Sequence, residues 1–140
     1  MKKLLVPIDG SANSNRAVRY AMELAAATGG MRIVLLNVQE ELERWYKHGL
    51  NSEAARQHLR QLGEAAAAEP RSLLNHAGVL FDFMIVFGEA AEVIARVAKE
   101  EGCFAIVIGT RGMGEVESAF LGSTAYKVLH LAEVPVILVK

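Results

Sequence analysis

The stretch Phe104-Ala-Ile-Val-Ile-Gly-Thr-Arg-Gly112 decides the fold of this chain, because an apolar run ends in a loop that carries two glycines. After nine intervening residues, Gly122-Ser-Thr124 precedes a helical pattern. A buried strand that delivers a flexible loop onto a helix N-terminus presents unpaired backbone N–H groups to an anion. The first hypothesis from these residues is therefore phosphate binding, most plausibly of a nucleotide.

Outward from this stretch, short apolar runs alternate with helical patterns along the whole chain. The runs are rich in Val, Ile, Leu and Phe, and several are apolar at nearly every position, as expected for strands buried on both faces. The alternation predicts a parallel sheet of five strands in a three-layer α/β sandwich, flavodoxin-like or Rossmann-like, with strand order 3-2-1-4-5. The predicted strands are Lys3–Ile8, Arg32–Val38, Leu80–Phe87, Phe104–Ile108 and Val134–Val139.

The helical patterns predict which faces pack on the sheet, because apolar residues recur at helical spacing. Pro70 lies late in the second pattern, and we expect it to kink or split that helix, since proline lacks the N–H and clashes with the preceding turn. The recurring apolar positions are Val18, Ala21, Met22 and Ala25, then Leu59, Leu62 and Ala66, then Ala91, Ile94, Ala95 and Ala98, and finally Ala125, Val128, Leu129 and Ala132.

Composition limits the classes of function. The chain has 140 residues, with 15 basic against 16 acidic side chains, so we expect one domain over residues 1–140 and no nucleic-acid partner. No stretch approaches the roughly 20 apolar residues of a membrane span, and the start lacks a signal-peptide cleavage site. The single Cys103 fits a reducing cytoplasm and is expected to be a small core residue.

Two loops are expected to meet at the carboxyl edge of the sheet, where ligands bind in open α/β folds. One follows the first strand at Asp9, and the other follows the fourth strand at Gly109. A carboxylate at Asp9 could accept hydrogen bonds from ribose hydroxyls. The alternative is that Asp9 caps the first helix or its turn, which contributes about 0.5–2 kcal/mol.

The glycine loop also has two interpretations. Ser123 or Thr124 could be an ordinary N-cap, with Gly122 supplying the turn. The further glycines at Gly109 and Gly112 favour close approach of the backbone to a ligand. The loop is not a Walker A motif, because Gly122 is followed by serine rather than lysine. Neutralisation of a polyphosphate would therefore depend on backbone dipoles, Arg111 or a bound metal ion.

Taken together, these motifs resemble the universal stress protein family over the whole chain. The resemblance is carried by Val6-Pro-Ile-Asp-Gly-Ser11, Leu35-Leu-Asn-Val38, the Gly109-x-x-Gly112-x9-Gly122-Ser123 motif of the ATP-binding branch, and Val134-Pro-Val-Ile-Leu-Val139. It implies an adenine nucleotide alpha hydrolase-like fold and bound ATP or AMP, with any Mg²⁺ or Mn²⁺ held through the phosphates. The nucleotide-binding residues that it implies are Pro7, Asp9, Gly10, Ser11, Val38, Gly109, Arg111, Gly112, Met113, Gly122, Ser123 and Thr124.

Within that resemblance, Asp9 would bind ribose, Gly109 would lie at the ribose and the backbone at Val38 would hold adenine. The residues that would surround the phosphates are Gly112, Met113, Gly122, Ser123 and Thr124. Glu115 and Glu117 depart from the family pattern and leave the loop acidic by one charge against Arg111. We expect them to weaken polyphosphate binding, which could favour AMP over ATP or make a metal more important; a solvated surface position is the plainer interpretation.

The family resemblance favours a nucleotide-binding sensor or regulator in stress adaptation with at most slow ATP hydrolysis. Its members usually dimerise, and an apolar edge at Val134–Val139 predicts a homodimer through the last strand. Two alternatives are a nucleotide-dependent enzyme of ATP pyrophosphatase or transferase type, and a flavodoxin-like carrier using Ser11–Asn15 for flavin phosphate. The segment Gln39–Asn51 is the least regular part and is expected over the carboxyl ends of the strands.

Overall fold

The computed structural model describes residues 1–40, 52–111 and 121–140. Each predicted strand is confirmed to within two residues at either end. None of the helices in the described ranges is both long and apolar enough to cross a membrane. The elements are β1 (Lys3–Pro7), α1 (Ala12–Ala27), β2 (Arg32–Gln39), α2 (Ser52–Ala77), β3 (Phe81–Phe87), α3 (Ala90–Glu100), β4 (Ala105–Gly109), α4 (Ser123–Leu131) and β5 (Val136–Val139).

The sheet has the predicted order, β3-β2-β1-β4-β5, and every neighbouring pair is parallel. In the centre of the sheet, Leu5 of β1 lies opposite Val34 of β2 and Ile106 of β4. The five-stranded α/β sandwich is thus confirmed. Because all strands run in one direction, their carboxyl ends share one edge of the sheet.

Two apolar layers hold the helices on opposite faces of the sheet, because successive strand residues point to opposite sides. Leu4 and Val6 of β1 pack in the layer that contains buried residues of α1 and α2. Leu5 packs in the other layer, with α3 and α4. Cys103 belongs to this second layer, as predicted for a core residue, and burial raises the pKa of its thiol.

Two of the predicted core positions are wrong. Leu62 of α2 is 45% exposed and Leu129 of α4 is 43% exposed. In α2 the buried stripe runs through Leu59, Gly63 and Ala67, so Leu62 lies on its flank. A Cβ atom at Gly63 would lie 2.8 Å from both Asn37 Oδ1 and Ile85 Cδ1, which indicates how closely this helix approaches the sheet.

Of the prediction that Pro70 kinks or splits the second helix, the split is wrong, because α2 continues through Pro70 to Ala77. Proline removes one intrahelical hydrogen bond, the one to the carbonyl of Ala66. Pro70 itself is buried and the fully buried Leu74 follows one turn later, so packing on the sheet extends past the missing bond. Tertiary burial therefore outweighs the local preference of proline to end a helix.

Candidate functional site

A cleft with a cavity volume of about 130 Å³, open to solvent, lies at the carboxyl edge of the sheet. Its walls come from the ends of β1, β2 and β4 and from the starts of α1, α3 and α4. The lining residues are Pro7, Ile8, Asp9, Ser14, Leu36, Val38, Ala90, Ile94, Ile108, Gly109, Thr110, Arg111, Gly122, Thr124 and Ala125.

The cleft has an apolar part and a polar part. Leu36 and Val38 of β2 and Ile94 of α3 are aliphatic, and of these Val38 is only partly buried while Leu36 and Ile94 are buried. Asp9 at the end of β1 and Arg111 after β4 supply charges of opposite sign. This division suits a ligand that carries an apolar, flat portion and a separate charged portion.

The start of α1 is closed by its own side chains. Ser11 is the N-cap, and its hydroxyl oxygen accepts a hydrogen bond from the backbone N–H of Ser14 at 3.1 Å. Asp9 Oδ1 accepts a hydrogen bond from the Ser11 N–H at 2.9 Å, and Gly10 turns the chain between them with φ of 85°. Asp9 therefore stabilises the turn before the helix while lining the cleft, and it is not the N-cap.

The start of α4 is different, because its N-cap is Gly122, which has no side chain. Ser123 and Thr124 lie inside the helix, so the alternative that one of them is the N-cap is wrong. The first hydrogen bond of the helix runs from the Tyr126 N–H to the Gly122 carbonyl at 2.9 Å. The three N–H groups between these residues have no partner within the helix, and Gly122 and Thr124 border the cleft.

The start of α3, also beside the cleft, is closed by carboxylates that the sequence reading missed. Glu89 is the N-cap and accepts hydrogen bonds from the N–H groups of Ala91 at 3.3 Å and Glu92 at 2.9 Å. Glu40, at the end of β2, accepts one from the Ala90 N–H at 3.2 Å. Glutamate is not among the preferred N-cap residues, so the sequence did not identify Glu89 as a cap. The only local signal of a helix start was the glycine that precedes it.

Backbone hydrogen bonds fix the residues that directly follow β4 and join them to Gly122. The Thr110 N–H donates to the Val139 carbonyl of β5 at 3.0 Å, and the Gly122 N–H donates to the Thr110 carbonyl at 2.6 Å. Asn13 Oδ1, reaching from α1, accepts a hydrogen bond from the Arg111 N–H at 2.7 Å. Sequence reasoning missed Asn13, because a polar residue in a first helical turn gives no signal of a distant partner.

Most of the described candidate residues come together in the cleft. Gly10, Ser11 and Ser123 are adjacent to it in the chain but do not line it. Gly112, Met113, Glu115, Glu117 and residues 41–51 of the Gln39–Asn51 segment lie outside the described residues. The predicted residues that line the cleft are Pro7, Asp9, Val38, Gly109, Arg111, Gly122 and Thr124. Those that were missed include Ser14, Leu36, Ala90, Ile94, Ile108, Thr110 and Ala125.

The polar side chains of the Ser11–Asn15 loop are used inside the protein. Asn13, Ser14 and Asn15 are all buried, and Asn15 Nδ2 donates to Glu69 Oε2 of α2 at 2.8 Å. The structure therefore gives no support to a flavin-phosphate role for this loop. Within residues 1–40, 52–111 and 121–140, no group of three His, Cys, Asp or Glu side chains could hold a metal ion.

Comparison with known proteins agrees over the full length of the chain. The sequence model of the universal stress protein family matches residues 1–140. The chain is 35% identical over 139 residues to a universal stress protein of Thermus aquaticus, covering 99% of this chain and 98% of that protein. It is 30% identical over 151 residues to the universal stress protein YxiE of Bacillus subtilis, with coverage of 99% and 98%.

Solved structures have the same fold. Protein MJ0577 of Methanocaldococcus jannaschii is 26% identical, with a TM-score of 0.80 and coverage of 99% of this chain and 95% of that one. A universal stress protein of Archaeoglobus fulgidus in complex with dAMP is 22% identical, with a TM-score of 0.73 and coverage of 100% and 98%. An Arabidopsis thaliana family protein with AMP bound is 20% identical, with a TM-score of 0.72 and coverage of 100% and 92%. This chain belongs to the universal stress protein family.

Proposed function

We propose that this chain binds an adenine nucleotide in the cleft and acts as a sensor or regulator of stress adaptation in the cytoplasm. One observation carries the proposal: α4 begins at a glycine, and its N-terminus opens onto the same cleft that Asp9 and Val38 line. A nucleotide needs an anion site and a nucleoside site at a fixed separation, and this cleft offers both.

The phosphate end of the ligand would lie at the start of α4. The backbone N–H groups of Ser123, Thr124 and Ala125 have no partner within the helix, and the helix dipole places partial positive charge there. Arg111 borders the same part of the cleft. Two other helix starts at this edge, those of α1 and α3, are closed by Ser11 and Glu89, which favours the start of α4 for an anion.

The nucleoside end would lie between β1, β2 and α3. Val38, which is only partly buried, would provide aliphatic surface against which a base can pack, and the buried Leu36 and Ile94 also line the cleft. The carboxylate of Asp9 would accept hydrogen bonds from ribose hydroxyls, and the Val38 backbone would border the base. Solved family structures that hold AMP or dAMP on this fold support an adenine ligand here.

The ligand is ATP or AMP, and any Mg²⁺ or Mn²⁺ would be held through the phosphates. Neither lysine nor histidine is present in the described lining of the cleft. Phosphoryl transfer depends on charges and a positioned nucleophile, so we expect hydrolysis of ATP to be slow at most. The site is thereby suited to report nucleotide occupancy rather than to turn nucleotide over.

The test has two steps. Nucleotide that copurifies with the protein is extracted and identified, and the emptied protein is then titrated with AMP, ATP and GTP, each with and without Mg²⁺. We expect AMP or ATP to bind below millimolar concentration and GTP to bind more weakly. Absence of both AMP and ATP binding below millimolar concentration would contradict the proposal.

A homodimer through β5 is the second part of the proposal, and the two edges of the sheet support it. At the β3 edge, the guanidinium carbons of Arg56 and Arg60 lie 5.5 and 5.4 Å from the centre of the Phe87 ring, which places charge beside the strand. At the β5 edge, all four residues are apolar and Leu138 is 39% exposed. An apolar edge strand favours pairing with a second copy.

Sedimentation equilibrium at micromolar concentration measures the oligomeric state. We expect a dimer for the wild type and a monomer for Leu138→Glu, because pairing would bury that position. Leu80→Glu is the matched control, since Leu80 is also exposed but precedes β3 at the opposite edge. A monomeric wild type, or loss of the dimer in the control alone, would contradict pairing through β5.

A further inference from the structure

Asn13 links three elements at the cleft, although it lies in the first turn of α1 and is only 5% exposed. Its Oδ1 atom accepts a hydrogen bond from the Arg111 N–H at 2.7 Å, and its Nδ2 atom lies 3.5 Å from the Val139 carbonyl of β5 as a donor. The first of these partners is 98 residues away in the chain. One buried amide thus connects α1, the loop after β4 and the last strand.

Gly109 is the residue that makes room for this amide. A Cβ atom at position 109 would overlap Asn13 Oδ1 and would lie 2.8 Å from Asn13 Cγ and 3.0 Å from the Asn13 carbonyl oxygen. The first glycine of the Gly109-x-x-Gly112 motif is therefore required by Asn13, a protein contact. This differs from the expectation that Gly109 is there only to let the backbone approach a ligand.

The contact extends to the start of α4 through the backbone. Asn13 holds the Arg111 N–H, and the preceding residue, Thr110, holds the Gly122 N–H through its carbonyl at 2.6 Å. Thr110 also donates its own N–H to the Val139 carbonyl that Asn13 approaches. The position of the α4 N-terminus relative to β4 thus depends on a short segment that Asn13 anchors from the opposite face of the sheet.

We propose that Asn13 is a positioning residue for the phosphate end of the ligand, acting by locking Gly109–Arg111 in place. This rests on the proposed function, because the phosphate site is the start of α4. Asn13 does not line the cleft and so touches no ligand itself. It sets where Arg111 and the Gly122 N-cap stand, so its loss changes the geometry of the anion site more than that of the nucleoside site.

Comparing AMP with adenosine separates positioning from general stability. We expect Asn13→Ala to raise the Kd of AMP by about threefold to tenfold, the effect of one hydrogen bond, and to change the Kd of adenosine by less than about twofold. Asn75→Ala is the matched control, because Asn75 is exposed in the last turn of α2. Equal weakening of AMP and adenosine by Asn13→Ala would show a merely structural role and overturn the proposal.

A second experiment needs no ligand, so it remains decisive even if the wild type binds no nucleotide. Gly109→Ala should lower the Tm strongly in the wild type and by much less in the Asn13→Ala background, where the overlapping amide is gone. If Gly109→Ala lowers the Tm equally in the two backgrounds, the proposed contact between Gly109 and the Asn13 side chain is contradicted.

A third experiment measures hydrogen exchange of the Arg111 amide and uses Asn13→Asp as the conservative variant. Asn13→Asp retains an acceptor oxygen, so protection of this amide should persist in Asn13→Asp and disappear in Asn13→Ala. Unchanged protection in Asn13→Ala would overturn the assignment. If the wild type does not bind AMP but the Tm and exchange results are as expected, the proposed nucleotide site is rejected. The role of Asn13 in holding Gly109–Arg111 in place would then still stand.

Discussion

The starts of α1 and α4 both lie at the carboxyl edge of the sheet, on opposite faces, and they differ in how their first N–H groups are satisfied. At α1, the Ser11 side chain accepts from Ser14, and Asp9 holds the turn before the cap. At α4, Gly122 has no side chain to offer, and the helix opens onto the cleft. This difference indicates that a helix start is suited to bind a ligand when no N-cap side chain accepts hydrogen bonds from its first N–H groups.

Closing α4 in the manner of α1 should have the largest effect. Gly122→Asp supplies a side-chain cap and a negative charge, and removes one anion site. We expect the AMP affinity to fall by a factor of about ten or more, which corresponds to at least about 1.4 kcal/mol. The free energy of unfolding should stay the same or rise by a few tenths of a kcal/mol, since aspartate is a slightly better cap than glycine. Calorimetric titration and denaturant unfolding measure the two quantities.

Gly122→Asn is the control for this change, because asparagine has the same shape without the charge. It should cap the helix similarly and weaken AMP binding less than aspartate does. If both variants bind AMP as tightly as the wild type, the start of α4 does not hold the phosphate.

The next effect concerns the carboxylate that borders the cleft beside α1. Asp9→Ala should weaken AMP and adenosine binding alike, by about 1–3 kcal/mol, because a charged hydrogen bond to ribose is lost. Binding of 2′,3′-dideoxyadenosine, which lacks both ring hydroxyls, should be insensitive to the substitution. An equal loss for the dideoxy compound would assign Asp9 to the turn alone.

A smaller effect, on stability only, is expected for the closed start of α1. Ser11→Ala removes the N-cap and should lower the free energy of unfolding by about 1 kcal/mol, measured by urea unfolding. Because Ser11 does not line the cleft, the Kd of AMP should remain within about twofold. A drop in affinity comparable to that of Gly122→Asp would mean that the two helix starts do not divide their roles as described.

The smallest effect is expected at α3, the third helix start at this edge. Glu89→Gln keeps the shape of the cap and removes its charge, so it should lower stability by only about 0.3–1 kcal/mol at low salt. The effect should shrink as salt is added, and AMP affinity should be unchanged. A large gain in AMP affinity would show that α3 competes with α4 for the phosphate.

The sequence was sufficient for the architecture of the sheet and for the meeting of Asp9 and Gly109. Strands buried on both faces are apolar at nearly every position, so the sequence indicates where each strand begins and ends. A chain of alternating strands and helices can adopt only a few sheet topologies. Parallel strands bring their carboxyl ends to one edge, which is why two residues 100 positions apart could be expected in one site.

The details that escaped prediction depend on contacts distant in the chain. Asn13 resembles any polar residue near a helix start until its partner, Arg111, is placed beside it. By residue type, Ser123 and Thr124 are as suitable for the N-cap position as Gly122 is. In the structure Gly122 is the N-cap, and its N–H donates to the Thr110 carbonyl, a partner that the sequence does not reveal. Leu62 was expected inside because helical spacing alone does not locate the centre of a buried stripe.

The most direct test is a comparison of backbone amide NMR shifts on titration with AMP and with adenosine. We expect the amides of Ser123, Thr124 and Ala125 to shift strongly with AMP and little with adenosine, while the Ser14 amide at the closed start of α1 responds to AMP and adenosine alike. If the amides of Ser123 to Ala125 do not respond to AMP, or respond equally to adenosine, the open start of α4 is not the phosphate site.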